Sequence, residues 1–129
     1  MRHRSKIAKL GREKQKRDAM LKSLVISLVT HHSIKTTNEK AKRVRLLAEK
    51  IITLSKKGDL HSRRLAYSLT GDKKTVKKVW DEIAPVYKNR NGGYTRILSL
   101  GQRKGDGANI CMLELVDMEK VMRRKPKEE

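Results

Sequence analysis

The sequence contains no phenylalanine, one cysteine, two prolines and one tryptophan in 129 residues. The aromatics are Tyr67, Trp80, Tyr87 and Tyr94, only 3% of the chain. A core must therefore rest on Leu, Ile, Val, Ala and Met. A lone Cys111 excludes an internal disulfide, so the chain does not read as a disulfide-stapled secreted domain. Four histidines and one cysteine make a structural zinc site a poor fit. His31 and His32 are adjacent, and no Cys-x-x-Cys or His-x3-His spacing occurs. No apolar run approaches the roughly 20 residues of a membrane span. The N-terminal stretch lacks the apolar segment of a secretory signal, and it is neither Ser-rich nor amphipathic as a transit peptide would be.

Acid is also scarce. Asp and Glu number 14 against 33 Lys and Arg, a formal net charge of +19. Such an excess opposes compaction unless a polyanion neutralises it. Nucleic acid is the first candidate partner and an anionic membrane surface the second. The charge is densest in "MRHRSKIAKLGREKQKR", where Arg2, Arg4, Lys6, Lys9, Arg12, Lys14, Lys16 and Arg17 face a single Glu13. Ile7, Ala8 and Leu10 are too few to build a core. Residues 1–13 read as a basic arm, disordered or irregular when alone. Lysines and arginines on such a segment suit RNA grooves too narrow for a folded domain, with ordering on binding. A solvated tail or a localisation signal is the alternative.

The rest reads as one α/β domain over 14–116, followed by a charged tail at 117–129. Leu21, Leu24, Val25 and Leu28 follow the i, i+3, i+4, i+7 template within a helix over Lys14–His31. Ala19 and Ile26 fall off that stripe, so this helix is a candidate central element. "SIKTT" at 33–37 is a β-branched strand candidate. Thr36 and Glu39 fit a capping box that opens a second helix, running to Lys57 and stopped by Gly58. Its apolar face is Ala41, Val44, Leu47, Ala48, Ile51 and Leu54. Lys42, Arg43, Arg45, Lys50, Lys56 and Lys57 lie opposite, with little acid among them, which favours a phosphate-contacting face over a mixed-sign solubility face.

Asp59 and Asp72 are cap candidates for shorter helices over 60–69 and 73–84. Beyond Pro85, "YTRILSL" and "NICMLELV" are strand candidates joined by "GQRKGDGA". With "SIKTT" they make a sheet of about three strands. Gly105 and Gly107 form an isolated Gly-x-Gly without the rest of a nucleotide-binding fingerprint, so the loop reads as a hairpin tip presenting Arg103 and Lys104. "NRNGGYTR" is either a turn or a phosphate-approaching loop, with Arg90 and Arg96 towards its two ends and Tyr94 free to stack on a base. Catalysis has little support. Asp59 near His61 is explained by capping, and Cys111 lies in an apolar strand candidate where an inert thiol is the default.

Several motifs together resemble the bacterial-type large-subunit ribosomal protein seventeen family. They are "MRHR" at the start, "LGR" at 10–12, "IKTTNEKAK" at 34–42, "AEKIITLSKKGDLHSRR" at 48–64 and "RNGGYTRILSLGQRKGDGA" at 90–108. The resemblance spans residues 1–116. It departs at Lys16-Arg17, where the family often has His-Arg, and at Ser23, where it often has Asn. It implies an α/β fold with helices on a small mixed sheet. It also implies a non-enzymatic structural constituent of the large ribosomal subunit in the cytoplasm, without cofactor or small-molecule substrate. The implied partners are large-subunit ribosomal RNA and neighbouring ribosomal proteins near the polypeptide exit region. The arm's RNA-contact role carries onto Arg2, His3, Arg4 and Arg12, and the hairpin's onto Arg96, Arg103 and Lys104. The residues alone keep two alternatives open. One is a DNA-binding protein, against which "HHSIKTT" is longer than a helix-turn-helix turn. The other is a membrane-surface protein, whose helices would carry Trp or Phe on their apolar faces.

Overall fold

In the computed structural model, which describes Leu10 and residues 13–118, the chain order is four helices and three strands. α1 is Lys14–His31, β1 Ser33–Thr37, α2 Asn38–Lys57, α3 Leu60–Thr70 and α4 Lys73–Lys78. β2 is Thr95–Gln102 and β3 Asn109–Leu115. The predicted helix over 73–84 is α-helical only to Lys78. It continues as a π-turn over Val79–Ile83, closed by Ala84 N–H donating to the Val79 carbonyl at 2.8 Å. The wider turn still buries Val79 and Ile83 in line with Val76.

The strands form one sheet in the order β1-β3-β2. Both pairings are antiparallel, so the sheet is not mixed as the resemblance implied. The reason lies in the connections. β2 and β3 are a hairpin, and β3 runs back past β1 with Ile34 opposite Leu113. Parallel pairing would need a crossover connection on the sheet. Side chains alternate along β3, so Cys111, Leu113 and Leu115 face the helices. Leu100 is the extra residue of a bulge, between the pairs Ser99–Cys111 and Gly101–Ile110.

α2, not α1, is the central element. It packs against α1, α3, the π-turn and all three strands. Its buried face is Ala41, Val44, Ala48, Ile51, Ile52, Leu54 and Ser55, with Leu47 half-buried. Thr95 Oγ1 donates to Glu49 Oε1 at 3.0 Å and fastens β2 to this helix.

The ends of the helices follow local chemistry. Gly58 and Gly71 stop α2 and α3 in the left-handed region at φ 73° and 71°, where a side chain would be strained. Asp59 accepts from Ser62 N–H at 3.1 Å, and Asp72 from Lys74 N–H at 3.3 Å, as expected of N-caps. The Thr36 capping box does not form. Thr36 is held in β1 opposite Cys111, the N-cap position falls to Thr37, and no side-chain cap bond is made. Thr36 already serves the sheet ladder, so α2 starts one residue later.

Two residues outside the expected bounds of 14–116 also meet the core. Leu10, assigned to the arm, is half-buried and packs on the core. Met118, assigned to the tail, is buried.

Candidate nucleic-acid interface

Arg2, His3, Arg4, Lys6, Lys9 and Arg12 lie outside the described residues. The other expected contacts fall on two surfaces, one on the helices and one on the hairpin.

The helical surface is a groove of about 470 Å³ between α1, α2 and α3. It is lined by Lys22, Arg43 and Lys50, by Leu21, Leu46, Leu47 and Leu69, and by Ser68 and Asp18. Arg43 and Lys50 are seven residues, about two helical turns, apart on α2, so α2 points both into the same groove. Lys22 joins them from α1. The charge reading missed Lys22 because nothing in the linear sequence shows that this part of α1 lies beside α2. Lys16 is exposed and Arg17 half-buried on the first turn of α1.

The cationic side of α2 is less uniform than the sequence suggested. Lys42 pairs with Glu39 at 3.7 Å and Arg45 with Glu49 at 3.5 Å. Lys56 turns towards the β2 end of the domain, where its Nζ donates to the Tyr94 hydroxyl at 2.9 Å. The acid that seemed too sparse in the composition is spaced at i+3 and i+4, where it meets the cations.

The hairpin surface carries Arg96, Arg103 and Lys104, all exposed. Arg103 makes a two-pronged ion pair with Asp106 across the tip, with Nε donating to Oδ1 at 3.1 Å. Asp106 Oδ1 also accepts from Ala108 N–H at 3.1 Å. The Arg103 hydrogen bonds, the Ala108 amide and the guanidinium charge hold the Asp106 carboxyl at about 2. Arg96 pairs with Glu114 on the neighbouring strand. Lys104 carries no ion pair among the described residues. Arg90 is exposed beside the Asn91-Gly92-Gly93 turn, donating to the Gly93 carbonyl at 3.1 Å and pairing with Asp117 at 3.3 Å. The Arg103–Asp106 and Arg90–Asp117 pairs are exposed and of small net worth, so a phosphate can replace either carboxylate at little cost.

Tyr94 corrects an expectation. Its residue is 3% exposed, its ring lies 5.1 Å from that of Tyr87, and Lys56 sits 5.0 Å from its centroid. With the ring so covered it offers no platform to a base. Two glycines at positive φ, 84° and 63°, turn the chain sharply just before Tyr94, and the buried Tyr87 draws the ring inward. Tyr87 donates its own hydroxyl to the carbonyls of Tyr94 and Val116.

Among the described residues, no group of three His, Cys, Asp or Glu is placed to hold a metal, and no helix is long and apolar enough to cross a membrane. Cys111 is 2% exposed, and burial raises its thiol pKa.

Fold and charge together define a small, strongly cationic α+β protein with basic side chains ringing a helix-on-sheet core. The family described as ribosomal protein L17 matches residues 20–116. The large ribosomal subunit protein bL17 of Clostridium acetobutylicum is 56% identical over 108 residues, covering 84% of this chain and 95% of that protein. Its counterparts in Caldanaerobacter subterraneus subsp. tengcongensis and Clostridium botulinum are 55% and 52% identical, each with 84% of this chain and 96% of the relative covered. This chain belongs to the ribosomal protein L17 family.

Proposed function

We propose that the protein is a structural constituent of the large ribosomal subunit in the bacterial cytoplasm, and that it binds large-subunit ribosomal RNA. Family membership supports the ribosomal role. The observation that carries the RNA reading is the groove in which Lys22, Arg43 and Lys50 converge with Asp18 as the one lining carboxylate. The basic arm at 1–13, this groove with Lys16, Arg17, Lys42 and Arg45, and the hairpin residues Arg90, Arg96, Arg103 and Lys104 form the contact set. Tyr94 supports the hairpin from within. The role is non-catalytic, and neighbouring proteins near the polypeptide exit region complete the site of assembly.

Phosphate neutralisation releases counterions, so affinity for large-subunit ribosomal RNA falls steeply with salt. For about six contacts the log-log slope is on the order of −5. Lys50→Gln and Lys104→Gln each make it shallower by about one unit, whereas Arg45→Gln, which removes a cation already paired with Glu49, changes it less. A flat salt dependence, or equal affinity for duplex DNA at matched salt, would defeat this reading.

A further inference from the structure

α3 is built inside out. The side it buries against α2 carries the small residues Ser62, Ala66 and Thr70, each under 4% exposed. Apart from Leu69, which packs on the core, its large apolar and aromatic side chains face away, with Leu60 at 62%, Leu65 at 41% and Tyr67 at 43% exposure. Small residues let the two helices approach closely, but they leave an outward apolar surface that the fold does not use.

Leu60, Arg63, Arg64 and Tyr67 have the i, i+3, i+4, i+7 spacing of one helix face. With Lys73 and Val76 of α4 they line a hollow of about 320 Å³. Leu60 supplies apolar surface above the buried Val76, Tyr67 an aromatic ring, and Arg63, Arg64 and Lys73 three cations. No carboxylate lines it. The adjacent Asp59 and Asp72 are occupied as the caps of α3 and α4. Arg63 is steadied 5.9 Å from the Trp80 ring. Tyr67 is the one exposed aromatic of the chain, since Tyr87 and Tyr94 are buried and Trp80 is half-buried beneath Arg63.

An exposed ring with cations beside it is what a single-stranded nucleotide requires, because every base has a stacking face and every phosphate a charge. A protein partner would need carboxylates to match three cations around one apolar hollow, whereas a nucleic-acid strand carries a phosphate at every nucleotide. We propose that this hollow is a second RNA-binding site, taking one unpaired nucleotide with its base on Tyr67 and its flanking phosphates on Arg63, Arg64 and Lys73. It rests on the reading that the chain binds ribosomal RNA, and its lining shares no residue with that of the groove above.

The test uses the full chain and a large-subunit ribosomal RNA transcript over a range of salt. Tyr67→Ala removes a stack and no phosphate contact. It should weaken binding about 5- to 150-fold with the salt slope unchanged. Tyr67→Phe keeps the stacking face and should bind as the parent does. Arg64→Ala should make the slope shallower by about one unit. Nitration reads the same site chemically, since the other two tyrosines are buried, and RNA should protect Tyr67. Unchanged affinity in Tyr67→Ala, with the parent still bound in a steeply salt-dependent way, overturns this site and leaves the RNA reading standing. A parent that shows no salt-dependent binding removes both. Tyr67 nitrated equally fast with and without RNA, yet protected in the assembled subunit, would give the hollow to a protein neighbour and overturn the proposal.

Discussion

Lys56 Nζ lies 2.9 Å from the Tyr94 hydroxyl and 5.0 Å from the centre of its ring, and the same ammonium donates to the Arg90 carbonyl. One lysine at the end of α2 thus fastens the segment that leads into the hairpin. Burial pushes the Tyr94 hydroxyl pKa up, but the hydrogen bond from Lys56 and the nearby positive charge pull it lower, and the downward pull prevails. Lys56→Met keeps the apolar stem and removes the donor. It should cost about 1 kcal/mol in urea unfolding and move the first phenolate absorbance to higher pH. An ultraviolet titration identical to the parent's would show that Lys56 does not control Tyr94.

The caps set an acid limit. Hydrogen bonds from Ser62 lower the Asp59 carboxyl, and the Thr75 hydroxyl, donating at 2.6 Å, leads in lowering that of Asp72. Both folded-state values lie below the ordinary aspartate value of about 3.9. The unfolded chain therefore binds more protons here than the folded one between those values. The stabilisation is fully present above about pH 4 and is lost as pH falls through the lower folded values. Melting temperature should drop over that window, and a double Asp59→Asn, Asp72→Asn variant should start lower and drop less. Parallel pH curves for parent and variant would rule the caps out as the cause.

Cys111 faces the core opposite Ser99 and Thr36, and burial raises its pKa. A thiol reagent needs both access and thiolate. Native protein should react slowly and urea-unfolded protein fast. Rapid labelling without denaturant would contradict the packing of β3 against the helices.

Two truncations separate the arm's parts. Removing residues 1–9 takes away Arg2, Arg4, Lys6 and Lys9 but keeps Leu10, which packs on the core. That variant should keep a cooperative melt, while its RNA affinity falls and its salt slope becomes shallower by about two to three units. Removing residues 1–13 also takes Leu10 and should melt lower. Equal melting temperatures for the two truncations would show that Leu10 adds nothing to the fold.

Local chemistry was legible in the linear chain. The apolar periods of α1 and α2, the glycine stops, both aspartate caps, the hairpin and the three strands all depend on neighbours a few residues apart. The overall charge, which calls for a polyanionic partner, needs no structure either. What depends on distant residues was not legible. Thr36 was a plausible cap until β3 claimed it for the sheet. Tyr94 was a plausible base platform until Tyr87 and Lys56, 7 and 38 residues away, covered it. Lys22 joins Arg43 and Lys50 only because α1 lies beside α2, and the packing of Leu10 and Met118 on the core shows only in the fold. α3 makes the distinction plainest. Its sequence shows large apolar residues, but only packing against α2 decides that the small ones go inside and Tyr67 stays out. Periodicity along a chain records which residues share a face, while the choice of which face is buried belongs to the neighbours that the tertiary fold supplies.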